Sequence, residues 1–204
     1  AGKIDAGHAE IARKYRQDGY IVLRNFFPHE QLHSIWADYE RKVYAGRVPV
    51  ETYQREGGDL FLGRCLNPHF TVPRLKELTH DKRLVELLSF LMGVKAIPFQ
   101  TITGFAGSQQ LPHSDAIHMT TYPAGYLSAA WIAFEDIHPD SGPLVYFPGS
   151  HKLPYLFTHH IADDDVEEQY KRTSWYNDVY EKEIQKLIDE HHLQPHYFDC
   201  KKGD

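Results

Sequence analysis

The chain has 204 residues, 42% of them hydrophobic, and a formal net charge of -6. That is enough apolar material for one core and a single domain over 1–204, and without a dense Lys/Arg run it argues against a nucleic-acid or anionic-membrane surface. No apolar run approaches the roughly 20 residues of a membrane span, and the N-terminus lacks a charged-then-apolar signal pattern. The only two cysteines, Cys65 and Cys200, fit a reducing, cytoplasmic setting better than a disulfide-stapled one.

The first stretch, "HAEIARKYRQDGYIVLRNFF", reads as an amphipathic helix followed by a strand. Ile11, Ala12 and Tyr15 make the apolar stripe, and Asp18-Gly19 is the stop, with Gly19 free to take positive φ. "YIVLRNFF" is β-branched and aromatic, which predicts a strand. Pro28, the helical spacing of Leu32, Ile35, Trp36 and Tyr39, and the closing Gly46 predict a second helix. Residues 47–73 read as loop, including Gly57-Gly58, with a short strand at "LFLGRCL". "DKRLVELLSFLMG" is a third helix, capped by Asp81 and stopped at Gly93.

After residue 95 the period changes. "AIPFQTITGFAG" reads as an alternating strand, "GYLSAAWIAFEDI" as a buried one, and "GPLVYFPGSH" and "HYFDCKKGD" as strands running into a Pro-Gly and a Gly-Asp turn. A polar insert at about 159–192 carries a helical pattern, with Val179, Ile184, Leu187 and Ile188 as its apolar face. Helices first and strands after predict an α+β domain with a mainly β core, a barrel or sandwich supported by the helices.

Among 14 histidines, His113 has the most suggestive setting, in "LPHSDAIHM". On a strand, His113 and Asp115 would project from the same face, roughly 7 Å apart, with Ser114 turned away. An imidazole and a carboxylate suit divalent iron when a second histidine completes one face of an octahedron and leaves open positions. The bland alternative is two polar residues meeting in a loop.

"PHSD", the opening "YRQDGYIVLRNFF" and the distal "EDIHPDSGPLVYFPGSHK" (residues 135–152) together closely resemble the phytanoyl-CoA dioxygenase family of Fe(II)- and 2-oxoglutarate-dependent oxygenases. The resemblance runs from about residue 8 to 204 and is weakest in the insert. It implies a double-stranded β-helix, a cupin-like jelly-roll barrel, with the N-terminal helices packed on one sheet. His113 and Asp115 match the two proximal iron ligands. Trp131 matches an aromatic position lining the 2-oxoglutarate pocket, or is a core tryptophan; Gln100 resembles a position that hydrogen-bonds the co-substrate, or makes a local structural bond. Gly142, Pro143, Pro148, Gly149 and Ser150 read as turn and scaffold residues, and His151 as structural or exposed.

In the family, a turn like "KKGD" leads into a strand bearing the distal histidine, followed by an arginine for the far carboxylate of 2-oxoglutarate. The sequence ends at Gly203-Asp204. The third ligand is therefore expected after Asp204, along with the last strands of the barrel, and none of His118, His159, His160, His191, His192 or His196 takes its place. The implied activity is hydroxylation of a small molecule by dioxygen, with release of succinate and CO2. The alternative is a non-catalytic or differently metallated jelly-roll binding protein. Acyl-CoA is a poor guess as substrate, because no Lys/Arg cluster is present for its phosphates. Substrate and oligomeric state are not legible.

Overall fold

The structure, a computed structural model, describes residues 6–54, 60–107, 110–119, 121–157 and 175–204. In chain order its elements are α1 (Ala6–Asp18), α2 (His29–Tyr44), β1 (Thr52–Gln54), β2 (Leu60–Leu62), β3 (Arg64–Leu66), α3 (Lys76–Thr79), α4 (Lys82–Met92), β4 (Ile102–Gly104), β5 (Val145–Tyr146), α5 (Glu181–Glu190) and β6 (His196–Tyr197). Short 3-10 turns join them, and one π-helical turn, Tyr176–Tyr180, runs into α5. They fall into two compact units. The larger holds Val22–Gln109, Ala130–Leu144 and Phe198–Asp204; the smaller holds Ala1–Ile21, Gln110–Ala129 and Val145–Tyr197.

The larger unit is organised by α2. Leu32, Ile35, Tyr39 and Val43 recur at helical spacing and are all buried. They pack with Phe27, Val48, Cys65, Val72, Leu75, Leu78 and Leu84. Each such aliphatic side chain stabilises by about 1.5–3 kcal/mol on burial. Tyr39 is fully buried, and its phenol oxygen accepts a 2.7 Å bond from the Thr103 hydroxyl on β4. Trp36 closes the aromatic layer against Phe105 and Phe134, with centroids 5.1 and 5.4 Å away. β1 pairs antiparallel with β2, and β3 with β4 in the register Cys65↔Thr103. At α4, Asp81 caps the N-terminus as expected, its carboxylate accepting the Arg83 and Leu84 amides, and Gly93 ends the helix.

The sequence 20–27 is not a strand. Arg24 and Asn25 form a turn, with Asn25 at φ 52, that docks on the last residues of the chain. The Asp204 carboxylate accepts the Asn25 amide at 2.9 Å and pairs with the Arg24 guanidinium, while Phe27 N–H donates to Gly203 O at 3.0 Å. Position 203 has to be glycine: φ is +93, and a Cβ would sit 2.7 Å from Phe27 O. Local β propensity lost here to a tertiary contact that spans almost the whole chain.

The β-rich half is also less regular than expected. Among the described residues the sheets are three antiparallel pairs of two or three residues per strand, and no closed barrel is formed. Pro98 interrupts one of the expected strands, Pro143 and Pro148 another, and none supplies an N–H to a ladder. Residues 133–137 bond instead in an open, strand-like exchange with 200–204: Ala133 N–H to Asp204 O, Gly203 N–H to Ala133 O, and Ile137 N–H to Cys200 O. "LFLGRCL" becomes two strands, β2 and β3, parted at Gly63, over which the Tyr53 ring lies. Cys65 and Cys200 are free, buried thiols, and burial pushes both up. Among the described residues no helix is long and apolar enough to cross a membrane.

In the smaller unit the "PGSHK" turn closes the C-terminal end of α1. The Gly149 amide donates to Asp18 O, Lys152 Nζ to Gln17 O at 2.8 Å, and His151 Nε2 to Arg16 O at 3.2 Å. The scaffold reading of this motif therefore takes a concrete form, the satisfaction of helix-end carbonyls. β5 and β6 pair nearby, and Tyr20 stacks on Tyr146 (4.9 Å) while its phenol shares a 2.6 Å hydrogen bond with His196. α5 forms where the sequence pattern places it, with Ile188 buried. The Gly57-Gly58 loop and residues 159–174 of the insert lie outside the described residues.

Candidate metal centre

His113 and Asp115 lie in the smaller unit on a loop, not on a strand. Ser114 is extended (φ -105, ψ 131), but Asp115 opens a 3-10 turn, Asp115–Ile117. The cause is local: the Ser114 hydroxyl accepts the Ala116 amide and caps the turn. This geometry turns the two flanking side chains toward each other. His113 Nε2 stands 3.4 Å from Asp115 Oδ1.

The other imidazole nitrogen is already committed. Leu111 O lies 2.8 Å from His113 Nδ1, and a carbonyl can only accept, so Nδ1 carries the proton. In the neutral ring Nε2 is then a bare lone pair facing a carboxylate oxygen. A second proton on Nε2, or a cation shared by both atoms, would turn this facing of two acceptors into an attraction. The ionisation of the pair follows the same logic. The Asp115 carboxylate pulls the His113 pKa up, against the opposing effect of burial, and His113 in turn lowers that of Asp115. A backbone carbonyl on the remote nitrogen is also how a metal-binding histidine is usually oriented. Cis ligands at about 2.1 Å from a first-row metal stand about 3.0 Å apart, so the observed spacing suits one ion shared by both.

Around this pair, His118 lies edge-on to His113 with ring centroids 5.9 Å apart, and Tyr176 stacks on His118 at 5.1 Å. Burial pushes the Tyr176 phenol up to about 12. No group of three or more His, Cys, Asp or Glu side chains among the described residues is arranged to hold a metal. His191, His192 and His196 are placed elsewhere: the first two follow α5, and His196 lies in β6 beside Tyr20. His159 and His160 lie outside the described residues.

Gln100 and Trp131 both belong to the larger unit. Gln100 is half-buried in the extended segment before β4. Trp131 exposes 45% of its surface, so it is not a core tryptophan. The residue that sequence reasoning passed over is Tyr180. It is fully buried, and its hydroxyl accepts the Ser114 amide at 2.9 Å and faces Ser114 O at 3.3 Å. The signal was present, because Tyr180, Ile184 and Ile188 recur every four residues on the face that α5 buries.

The chain is similar to several known proteins. Ectoine dioxygenase of Bordetella parapertussis is 27% identical over 156 residues, 72% of this chain and 51% of the relative. A probable alpha-ketoglutarate-dependent hypophosphite dioxygenase of Stutzerimonas stutzeri is 24% identical over 178 residues, 82% of this chain and 62% of the relative. The chain thus spans about half the length of the ectoine dioxygenase it matches. Among solved structures, the non-heme alpha ketoglutarate dependent epimerase SnoN from nogalamycin biosynthesis superposes with a TM-score of 0.63 at 18% identity, covering 97% of this chain and 71% of that one. It has also been solved with Fe3+ and alpha ketoglutarate. AviO1 from Streptomyces viridochromogenes Tue57 gives a TM-score of 0.60 at 17% identity, covering 100% of this chain and 83% of that one. This likeness is one of fold, the cupin-like jelly roll of iron/2-oxoglutarate enzymes. Fe(II) and 2-oxoglutarate, the cofactor and co-substrate implied by the sequence, are those of the family whose model, Phytanoyl-CoA dioxygenase (PhyH), matches residues 15–204. The chain belongs to the phytanoyl-CoA dioxygenase family.

Proposed function

We propose that this protein is an Fe(II)- and 2-oxoglutarate-dependent dioxygenase that hydroxylates a small molecule, using dioxygen and releasing succinate and CO2. The observation that carries the reading is the facing pair His113 Nε2 and Asp115 Oδ1, 3.4 Å apart, with the remote imidazole nitrogen tied to Leu111 O. In this reading His113 and Asp115 hold the iron, and a histidine beyond these 204 residues supplies the third ligand. Bound iron with 2-oxoglutarate supplies the oxidising power for attack on a C–H bond. The chain's own part is ligation and orientation. The Leu111 carbonyl fixes the His113 tautomer, and Ser114 turns the carboxylate of Asp115 toward it. Gln100 and Trp131 are assigned to 2-oxoglutarate, as hydrogen-bond partner and pocket wall. The protein acts in the cytoplasm as a small-molecule enzyme, with no nucleic-acid or membrane partner.

The test is succinate formation by the full-length protein with Fe(II), 2-oxoglutarate and dioxygen, alone and with candidate substrates. Ectoine and hypophosphite, named for two of the relatives, are the first to try. Turnover that disappears in His113→Ala supports the reading. Succinate release no greater than that of His113→Ala under every condition counts against it, and leaves the non-catalytic jelly-roll binding protein.

A further inference from the structure

Tyr180 sits at the junction between the π-helical turn Tyr176–Tyr180 and α5, and it is fully buried. Its phenol oxygen makes its hydrogen bonds to main chain. It meets the main chain of Ser114, accepting the amide at 2.9 Å and reaching the carbonyl of the same residue at 3.3 Å. Ser114 is the one residue between the two candidate ligands, so a bond to its backbone fixes the peptide planes on which both side chains are hung. The loop has little else to hold it: the described bonds at 113–115 are the Leu111 contact, the Ser114 cap and the short turn after Asp115. A π-helical turn departs from regular helix geometry and is frequent at functional sites. Trp175 lies along the Tyr180 ring, with centroids 6.4 Å apart, and Tyr176 packs on it at 5.2 Å. The phenol is therefore held by its neighbours rather than free to rotate away.

We infer that Tyr180 is a positioning residue of the metal centre, its phenol clamping the Ser114 backbone so that His113 and Asp115 converge on one ion. The inference rests on the metal-binding reading of that pair and adds the element that orders it. It also gives the π-helical turn a purpose, since the turn presents a residue 66 positions downstream in sequence to the ligand loop. Residues that orient ligands without touching the metal typically contribute about 10- to 100-fold in affinity.

The test is Mn(II) binding to the full-length protein, followed by electron paramagnetic resonance, with affinity and site number fitted separately. Wild type binds one ion per chain and His113→Ala none; if this fails, the fault lies with the metal reading and not with the clamp. Given that result, Tyr180→Phe keeps one site per chain with a dissociation constant about 10- to 100-fold higher and a broadened Mn(II) spectrum. Tyr176→Phe, which removes a phenol from the same turn that has no hydrogen-bond partner among the described residues, leaves the constant unchanged. Wild-type affinity and spectrum in Tyr180→Phe overturn the inference. So does a loss of site number with affinity retained, because that is the mark of a merely structural role. If the phenylalanine variant does not fold, 4-aminophenylalanine at position 180 keeps the ring and a donor for Ser114 O but is a poor acceptor for the Ser114 amide. A smaller shift in the same direction then supports the clamp, and none contradicts it.

Discussion

Replacing Asp204 with alanine tests whether the Gly203-Asp204 turn anchors the larger unit. The side chain is only 7% exposed, and its carboxylate accepts the Asn25 amide at 2.9 Å and the Lys201 amide at 3.0 Å, beside Arg24. A hydrogen bond to a charged group contributes about 1.5–3 kcal/mol net. Asn25 and Lys201 are exposed enough for water to replace part of this, so the low end applies to each. The Arg24 guanidinium is itself largely exposed and adds at most about 1 kcal/mol. The expected loss is about 3 kcal/mol near neutral pH, a fall in Tm of roughly 6–12 °C for a chain of this size. Burial alone would raise the Asp204 pKa, but the two main-chain bonds and Arg24 outweigh it and hold it below the usual carboxylate range. Since the folded value is the lower one, this stabilisation is complete above the unfolded value of about 3.9 and is lost as pH falls through the folded value. Thermal unfolding by circular dichroism, run from about pH 7 down to about pH 3, reads both effects. The gap between wild type and Asp204→Ala is constant at neutral pH and narrows in acid. Equal melting temperatures near neutrality, or a gap that widens in acid, would refute the anchor.

Two further substitutions probe the same unit. Asp81→Ala removes the cap of α4 and costs about 1 kcal/mol, with Tm about 2–4 °C lower; an unchanged melt means that the capping bonds contribute nothing. Thr103→Val takes the donor from the buried Tyr39 phenol and costs about 1–3 kcal/mol, read as a lower urea midpoint at constant slope. A midpoint equal to that of wild type shows that the phenol is satisfied some other way.

What the sequence revealed and what it hid divide along physical lines. α2 and α4 were legible because Leu32, Ile35 and Tyr39, and the Asp81 cap with its Gly93 stop, are signals written within a few residues of the structure they produce. The segment 20–27 was misread because its β propensity is real but its partner, Gly203-Asp204, lies some 180 residues away. At the candidate site the pairing of His113 with Asp115 was readable and its geometry was not. A strand would have set their Cα atoms roughly 7 Å apart on one face, whereas here Asp115 opens a 3-10 turn capped by Ser114, and the two polar atoms face each other at 3.4 Å. Tyr180 was hidden for the opposite reason. Its helical spacing marks it as one more buried aromatic, and only the fold shows its hydroxyl turned toward the Ser114 backbone. Sequence places Gln100 and Trp131 by resemblance alone, and the exposure of Trp131 removes the simplest structural explanation for it.

The most direct measurement is an anaerobic Fe(II) titration of the full-length protein, wild type against His113→Ala and Asp115→Ala. The expected result is one iron per wild-type chain and a loss of affinity beyond about 100-fold in each variant, because either change leaves a single ligand from this loop. Wild-type affinity retained in both variants would contradict the assignment and place the iron, if any is bound, at other residues.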